Sequence, residues 1–230
     1  MTAQARQLTT SKPPSPCERR AHDGTLFRFT RGRFLTNKAS ELAKRHIRFD
    51  VDKLARLAVR AAEAASNGPR ACISIEKMAN GMHNKAIHFT MDNGFQAVGK
   101  VPNPNAGLRH LTTALEVATM DFMSNVLGTP VPKVLSWSSS TDNPVAAEYI
   151  LMENARGVPL SSLWDKLDAP VKFKVLEKVA SYQELWSQVC FSKYGSLYYR
   201  GDLDQSIPNL YLESFNILLK YLPSHQTSPR

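Results

Sequence analysis

The stretch from Ile73 to Glu116 constrains the fold more tightly than any other. Residues 71–78 and 85–91 read as extended runs, and Asp92-Asn93-Gly94 joins the second to a third, 95–101. Asn-Gly supplies the positive φ values of a type I′ turn, which predicts a tight antiparallel hairpin. A short turn with one glycine, Ala79-Asn80-Gly81-Met82-His83-Asn84, separates the first two strands. The third strand carries Lys100, and Glu116 follows sixteen residues later in a segment read as a helix over 114–127. Leu115, Ala118, Phe122 and Val126 would form one face of that helix. A phosphate needs a cation, and the cation needs an anionic partner to fix its rotamer; a strand lysine followed by a helix glutamate would supply both.

The flanks extend this unit. Asp50 or Asp52 caps a helix through about Ala65, with Leu54, Leu57, Ala58, Ala61, Ala62 and Ala65 as its apolar stripe, and Asn67-Gly68-Pro69 ends it. Residues 133–137 and 145–153 read as strands around a polar turn, 138–143. Five strands and a helix make a small lobe. From Asn154 the pattern turns helical: a short piece over 160–167, then a long amphipathic helix over 171–190. Its stripe is Val171, Val175, Val179, Tyr182, Trp186 and Val189. A small aromatic strand or turn at 194–199 and an amphipathic segment at 210–222 follow.

With 43% hydrophobic and 21% charged residues the 230-residue chain is ordinary globular material, and no apolar run is long enough to span a bilayer. Cys17, Cys72 and Cys190 are scattered without metal-ligand spacing. The net charge of +9 is concentrated at the start, where eleven basic residues up to Arg48 face only Glu18, Asp23 and Glu41. Three readings compete: a nucleic-acid-binding arm, a mitochondrial import presequence, and a solvated basic tail. Pro13, Pro14 and Pro16 weaken the second, and the absence of aromatic-basic interleaving weakens the first. Nucleic acid is therefore not the favoured partner.

The order of loop, strand lysine and helix glutamate matches the nucleotide-binding lobe of the protein-kinase-like fold. The runs Lys100-Val101-Pro102-Asn103-Pro104-Asn105-Ala106-Gly107 and Thr112-Thr113-Ala114-Leu115-Glu116-Val117-Ala118-Thr119-Met120 resemble fungal phosphotransferases of the aminoglycoside phosphotransferase/choline kinase group. Glu148-Tyr149-Ile150-Leu151-Met152-Glu153 and Tyr194-Gly195-Ser196-Leu197-Tyr198-Tyr199 extend the likeness, which covers roughly 27–199. Phe34 and Lys38 stand where that group has tryptophan and glutamate. The resemblance implies an α+β, protein-kinase-like fold: a basic segment or presequence (1–24), an N-terminal five-stranded lobe (25–153) and a partial helical C-terminal lobe (154–230). It tilts the basic segment towards mitochondrial import. It also implies ATP as ligand, with Lys100 on the α- and β-phosphates, Glu116 as its partner, and backbone contacts to adenine at Met152 and Glu153. Gly81 and Asn84 would belong to the loop over the phosphates, although a plain hairpin loop reads almost as well. Glu116 has a rival role, since Thr113-Ala114-Leu115-Glu116 is also a capping box. His83, His88 and His110 form no ligand pattern and read as loop or surface residues.

Phosphoryl transfer in this fold needs a loop aspartate, an asparagine five residues on, and a later metal aspartate. Asp204 precedes Asn209 by five, but no aspartate follows; in the alternative alignment over 210–218, Tyr211 stands where the aspartate belongs. The expectation is a phosphotransferase-family chain whose second lobe is truncated, with no assigned catalytic or metal residue, no Mg²⁺ and no phosphoryl transfer as written. The alternative is a non-catalytic nucleotide-binding or interaction module. In either case the small-molecule acceptor is unspecified, and the exposed 171–189 helix face would invite a protein partner.

Overall fold

A computed structural model of the protein describes residues 24–29, 34–65, 68–79, 81–191 and 195–202. The catalytic-loop look-alikes at Asp204–Asn209 and 210–218, the 210–222 segment, Asn80 and most of the basic amino-terminal segment lie outside these residues. The architecture is α+β. Five antiparallel strands, β1 (Cys72–Lys77), β2 (Asn84–Met91), β3 (Gln96–Pro102), β4 (Val134–Ser138) and β5 (Tyr149–Glu153), form one sheet in the order β1-β2-β3-β5-β4. A short helix α1 (Lys38–Ala43) precedes α2 (Val51–Ala65), α3 (Leu111–Asp121) links β3 to β4, and α4 (Ala169–Ser187) follows the sheet.

Asp50 caps α2, its carboxylate accepting from Lys53 N at 2.8 Å, so Asp50 takes this role in preference to Asp52. The apolar stripe then faces the sheet. Leu54, Ala55 and Ala58 pack with Ile75, Ile87, Phe89, Met91, Ala97, Val101 and Leu151 in one core. The pleat of β2 shows the alternation directly: Ile87, Phe89 and Met91 are buried on the α2 side, whereas Ala86, His88 and Thr90 on the other side are only partly covered.

Several local expectations are corrected. The β2–β3 hairpin is not a type I′ turn. Gly94 alone takes positive φ (82°), its N–H bonds Met91 O at 3.0 Å, and Met91 N bonds Phe95 O at 2.8 Å. The loop is thus a three-residue one with a glycine bulge, and Asn93 uses its side chain to accept from Phe95 N. The fifth strand starts at Tyr149, not at Val145, because the Val145 carbonyl is taken by Asp50 N at the start of α2 (2.9 Å) and Ala146 turns through φ 58°. The helix expected over 114–127 begins at Leu111 and ends in a π-helical turn, Phe122–Val126, which rotates Val126 out to 46% exposure. The short 160–167 helix is two 3₁₀ turns, Leu160–Ser162 and Trp164–Lys166. The long helix runs Ala169–Ser187 with Pro170 in its first turn.

Among the described residues no helix is long and apolar enough to cross a membrane. α4 has no buried residue and leaves Phe173, Leu176 and Val179 exposed. Its end is tied down by the Trp186 indole, which donates to Thr129 Oγ1 at 2.9 Å.

Candidate functional site

Lys100 lies in β3 opposite Ala86 of β2 and Ile150 of β5. The strand pleat therefore puts it on the sheet face away from α2, together with Val98, His88 and Met152. Its Nζ donates to Glu116 Oε1 of α3, forming an ion pair whose side chains are 24% and 33% exposed. The ammonium is thus oriented by a carboxylate and still reachable from solvent. Two roles competed for Glu116 in the sequence, and the geometry separates them. α3 begins two residues before Thr113, so Thr113 is inside the first turn and has no capping role. Its hydroxyl donates instead to Glu148 Oε2 at 2.7 Å.

The glycine turn sits at the end of the sheet nearest Lys100. Asn84 pairs with Pro102, two residues along the ladder from Ala86 and Lys100. A Cβ at Gly81 would stand 2.5 Å from Asn84 Oδ1, so a larger residue there would displace the Asn84 carboxamide from the backbone. Met152 pairs with Val98 and Glu153 with Ala97, towards the opposite end. The Glu153 N–H is engaged by Lys133 O (2.9 Å) and the Asn154 N–H by Gln96 O (3.2 Å). An open pocket of about 480 Å³ beside that strand end is lined by Glu153, Asn154, Arg156, Gln96 and Pro130–Pro132, but by neither Lys100 nor Glu116. Among the described residues no three His, Cys, Asp or Glu side chains gather as a metal site.

Sequence reasoning missed the polar cluster that holds the start of α3. Glu148, only 6% exposed, accepts from His110 N at 2.9 Å as well as from Thr113. His110 has φ 65° and ψ −56°, with Leu111 N bonding Arg109 O at 2.7 Å, a strained γ-turn that costs roughly 1–3 kcal/mol unless its surroundings hold it. Its ring meets Ser139 Oγ through Nδ1 (2.7 Å) and the Asp202 carbonyl through Nε2 (2.8 Å). A carbonyl only accepts, so Nε2 carries a proton. His110 is therefore no surface histidine. Alongside it Tyr199 stacks on Trp137 and donates to Asp121 Oδ2 at 2.8 Å. Burial and that carboxylate push the Tyr199 phenol well above its ordinary value. Burial also pushes the Asp202 carboxyl up, against the opposing effect of His110. Nothing in residue type or spacing links position 110 to 148 and 202; the link exists only once β4 and β5 bring them together.

No protein-family model matches the chain. A 133-residue stretch, 58% of this chain, is 43% identical to a subtelomeric hrmA-associated cluster protein of Aspergillus fumigatus and covers 26% of it. Over 145 residues the chain is 34% identical to Altered inheritance of mitochondria protein 9, mitochondrial, of Debaryomyces hansenii, covering 58% of this chain and 23% of that one. The protein of the same name in Yarrowia lipolytica is 29% identical over 196 residues, 77% of this chain and 33% of its own length. The chain thus spans about a quarter to a third of these curated relatives, and none of their names describes a reaction. The chain is similar to fungal proteins, of which those from Debaryomyces and Yarrowia are named as mitochondrial, in agreement with the location that the family resemblance implied.

Proposed function

We propose that the five-stranded unit is a nucleotide-binding lobe of the protein-kinase-like kind, and that the chain is a mitochondrial protein related to the aminoglycoside phosphotransferase/choline kinase group. The observation that carries the reading is the Lys100–Glu116 ion pair between β3 and α3. A phosphate-binding lysine must be held in one rotamer without being sealed from the ligand, and this pair is partly covered and partly open. The polyphosphate of ATP would lie on Lys100, with Gly81 and Asn84 at its loop end and the base towards Met152 and Glu153. Five residues of β3 separate the loop end from the Glu153 end, about 17 Å at strand rise, a span an extended nucleoside triphosphate fits. The chain's own residues orient the phosphates and supply positive charge; transfer to a small-molecule hydroxyl belongs to the resemblance.

Isothermal titration with ATP, ADP and AMP tests this. Affinity should fall as phosphates are removed, and Lys100→Ala should abolish the advantage of ATP. Equal binding of all three, or binding indifferent to Lys100→Ala, would refute it. A second reading rests on α4, whose exposed Phe173, Leu176 and Val179 suit an interaction module with a protein partner. It predicts that Phe173→Asp changes self-association or partner binding and leaves nucleotide titrations unchanged. If Phe173→Asp leaves association unchanged, that reading fails.

A further inference from the structure

We infer that Glu148 and His110 act as a positioning latch, fixing α3 so that Glu116 meets Lys100, and that the 195–202 segment closes the latch through His110. Glu116 sits on α3 less than two turns from His110, so wherever the first turn of that helix is fixed, Glu116 follows. That turn is not capped by a side chain of its own. It is held from β5's approach by Glu148, through His110 N and the Thr113 hydroxyl. The strained backbone of His110 then aims its imidazole outward, between Ser139 and the carbonyl of Asp202. Nearby, Leu197 packs with Ala118 and Phe122 on the same helix, and Tyr198 packs with Ala114. One end of the chain's described residues is therefore fastened to the helix that carries the carboxylate. A backbone strain, a buried carboxylate and a bridging imidazole, converging on one helix start, are more than helix capping requires. Together they couple a segment distant in sequence to the orientation of Lys100.

The functional meaning of this latch rests on the proposed nucleotide site, whereas the coupling is read with no nucleotide present. Competitive reductive methylation with formaldehyde and cyanoborohydride, followed by peptide mapping, reports the reactivity of each lysine. Buried Lys85 is the internal control for an intact fold. Glu116→Ala should raise the Lys100 rate about two- to fivefold, as expected for losing a partly exposed ion pair. Glu148→Ala and His110→Ala should raise it similarly while Lys85 stays protected. Glu148→Gln keeps an acceptor for His110 N and should restore the wild-type rate. If the alanine variants also open Lys85, Ser139→Ala decides, because it removes only a ring contact: a rise at Lys100 alone supports the latch, and no rise overturns it. Lys100 reactivity unchanged by Glu148→Ala and His110→Ala, or unchanged by Glu116→Ala, overturns it as well. Because no step uses ATP, a failed nucleotide titration leaves this result standing.

Discussion

Lys85 points into the core from β2 and is 1% exposed. Its ammonium has two neutral acceptors, Arg45 O at 2.7 Å and Asn103 Oδ1 at 3.1 Å, and among the described residues it forms no salt bridge. Burial, with a smaller contribution from Lys77, lowers its pKa from 10.5 to about 8. The folded state therefore releases this proton at a lower pH than the unfolded chain does. The cost of holding a buried ammonium is fully present below about pH 8, shrinks as pH rises through that value, and is gone above the unfolded pKa of 10.5. From about pH 7 to about pH 9.5 the linkage amounts to about 2 kcal/mol of added stability. Urea unfolding across that range, for the wild type and Lys85→Met, isolates the effect. The substitution orphans two acceptors and changes absolute stability, but it should flatten the pH dependence by about 2 kcal/mol relative to wild type. Parallel pH profiles for the two proteins would refute the reasoning.

Further outcomes follow from packing and hydrogen bonding. A Cβ at Gly99 would come 2.7 Å from the Phe89 ring and 3.3 Å from Leu54 Cδ2, so Gly99→Ala should lower stability by about 1–3 kcal/mol in urea unfolding. Tyr199→Phe removes a bond to the Asp121 carboxylate and should cost about 1–2 kcal/mol by the same measurement, with backbone exchange rising in α3. Asn143 donates to Ser138 Oγ, Ser140 O and Ala147 O and accepts from Val145 N, so Asn143→Ala should destabilise the β4–β5 loop by about 1–3 kcal/mol, seen as faster amide exchange of residues 138–147.

The parts of this fold that were legible are those written in local pattern. Alternation in 85–91 and the spacing of Leu54 and Ala58 each specify an element and its buried face, and the sheet and α2 formed accordingly. Lys100 and Glu116 were legible as a pair through the family resemblance, which sets a strand lysine against a helix glutamate, and the ion pair formed. Illegible were features decided by partners remote in sequence. The rival capping-box role of Thr113 is excluded by the start of α3 at Leu111, and Glu148, thirty-five residues on, takes the Thr113 hydroxyl. Val145 looked like strand until its carbonyl was needed by Asp50. The 91–95 turn erred more narrowly: Asn-Gly signals a tight turn with two left-handed residues, but a three-residue loop with a glycine bulge needs only one, Gly94.

The most direct test of the central claim is photolabelling with 8-azido-ATP, in competition with ATP, followed by mapping of the modified peptides. A nucleotide bound along the Lys100 face predicts ATP-protected labelling in the strands of that face, at or beside Val98 and Met152, and its loss in Lys100→Ala. Labelling confined to the pocket of Pro130–Pro132 and Arg156, or labelling that ATP does not protect, would contradict it.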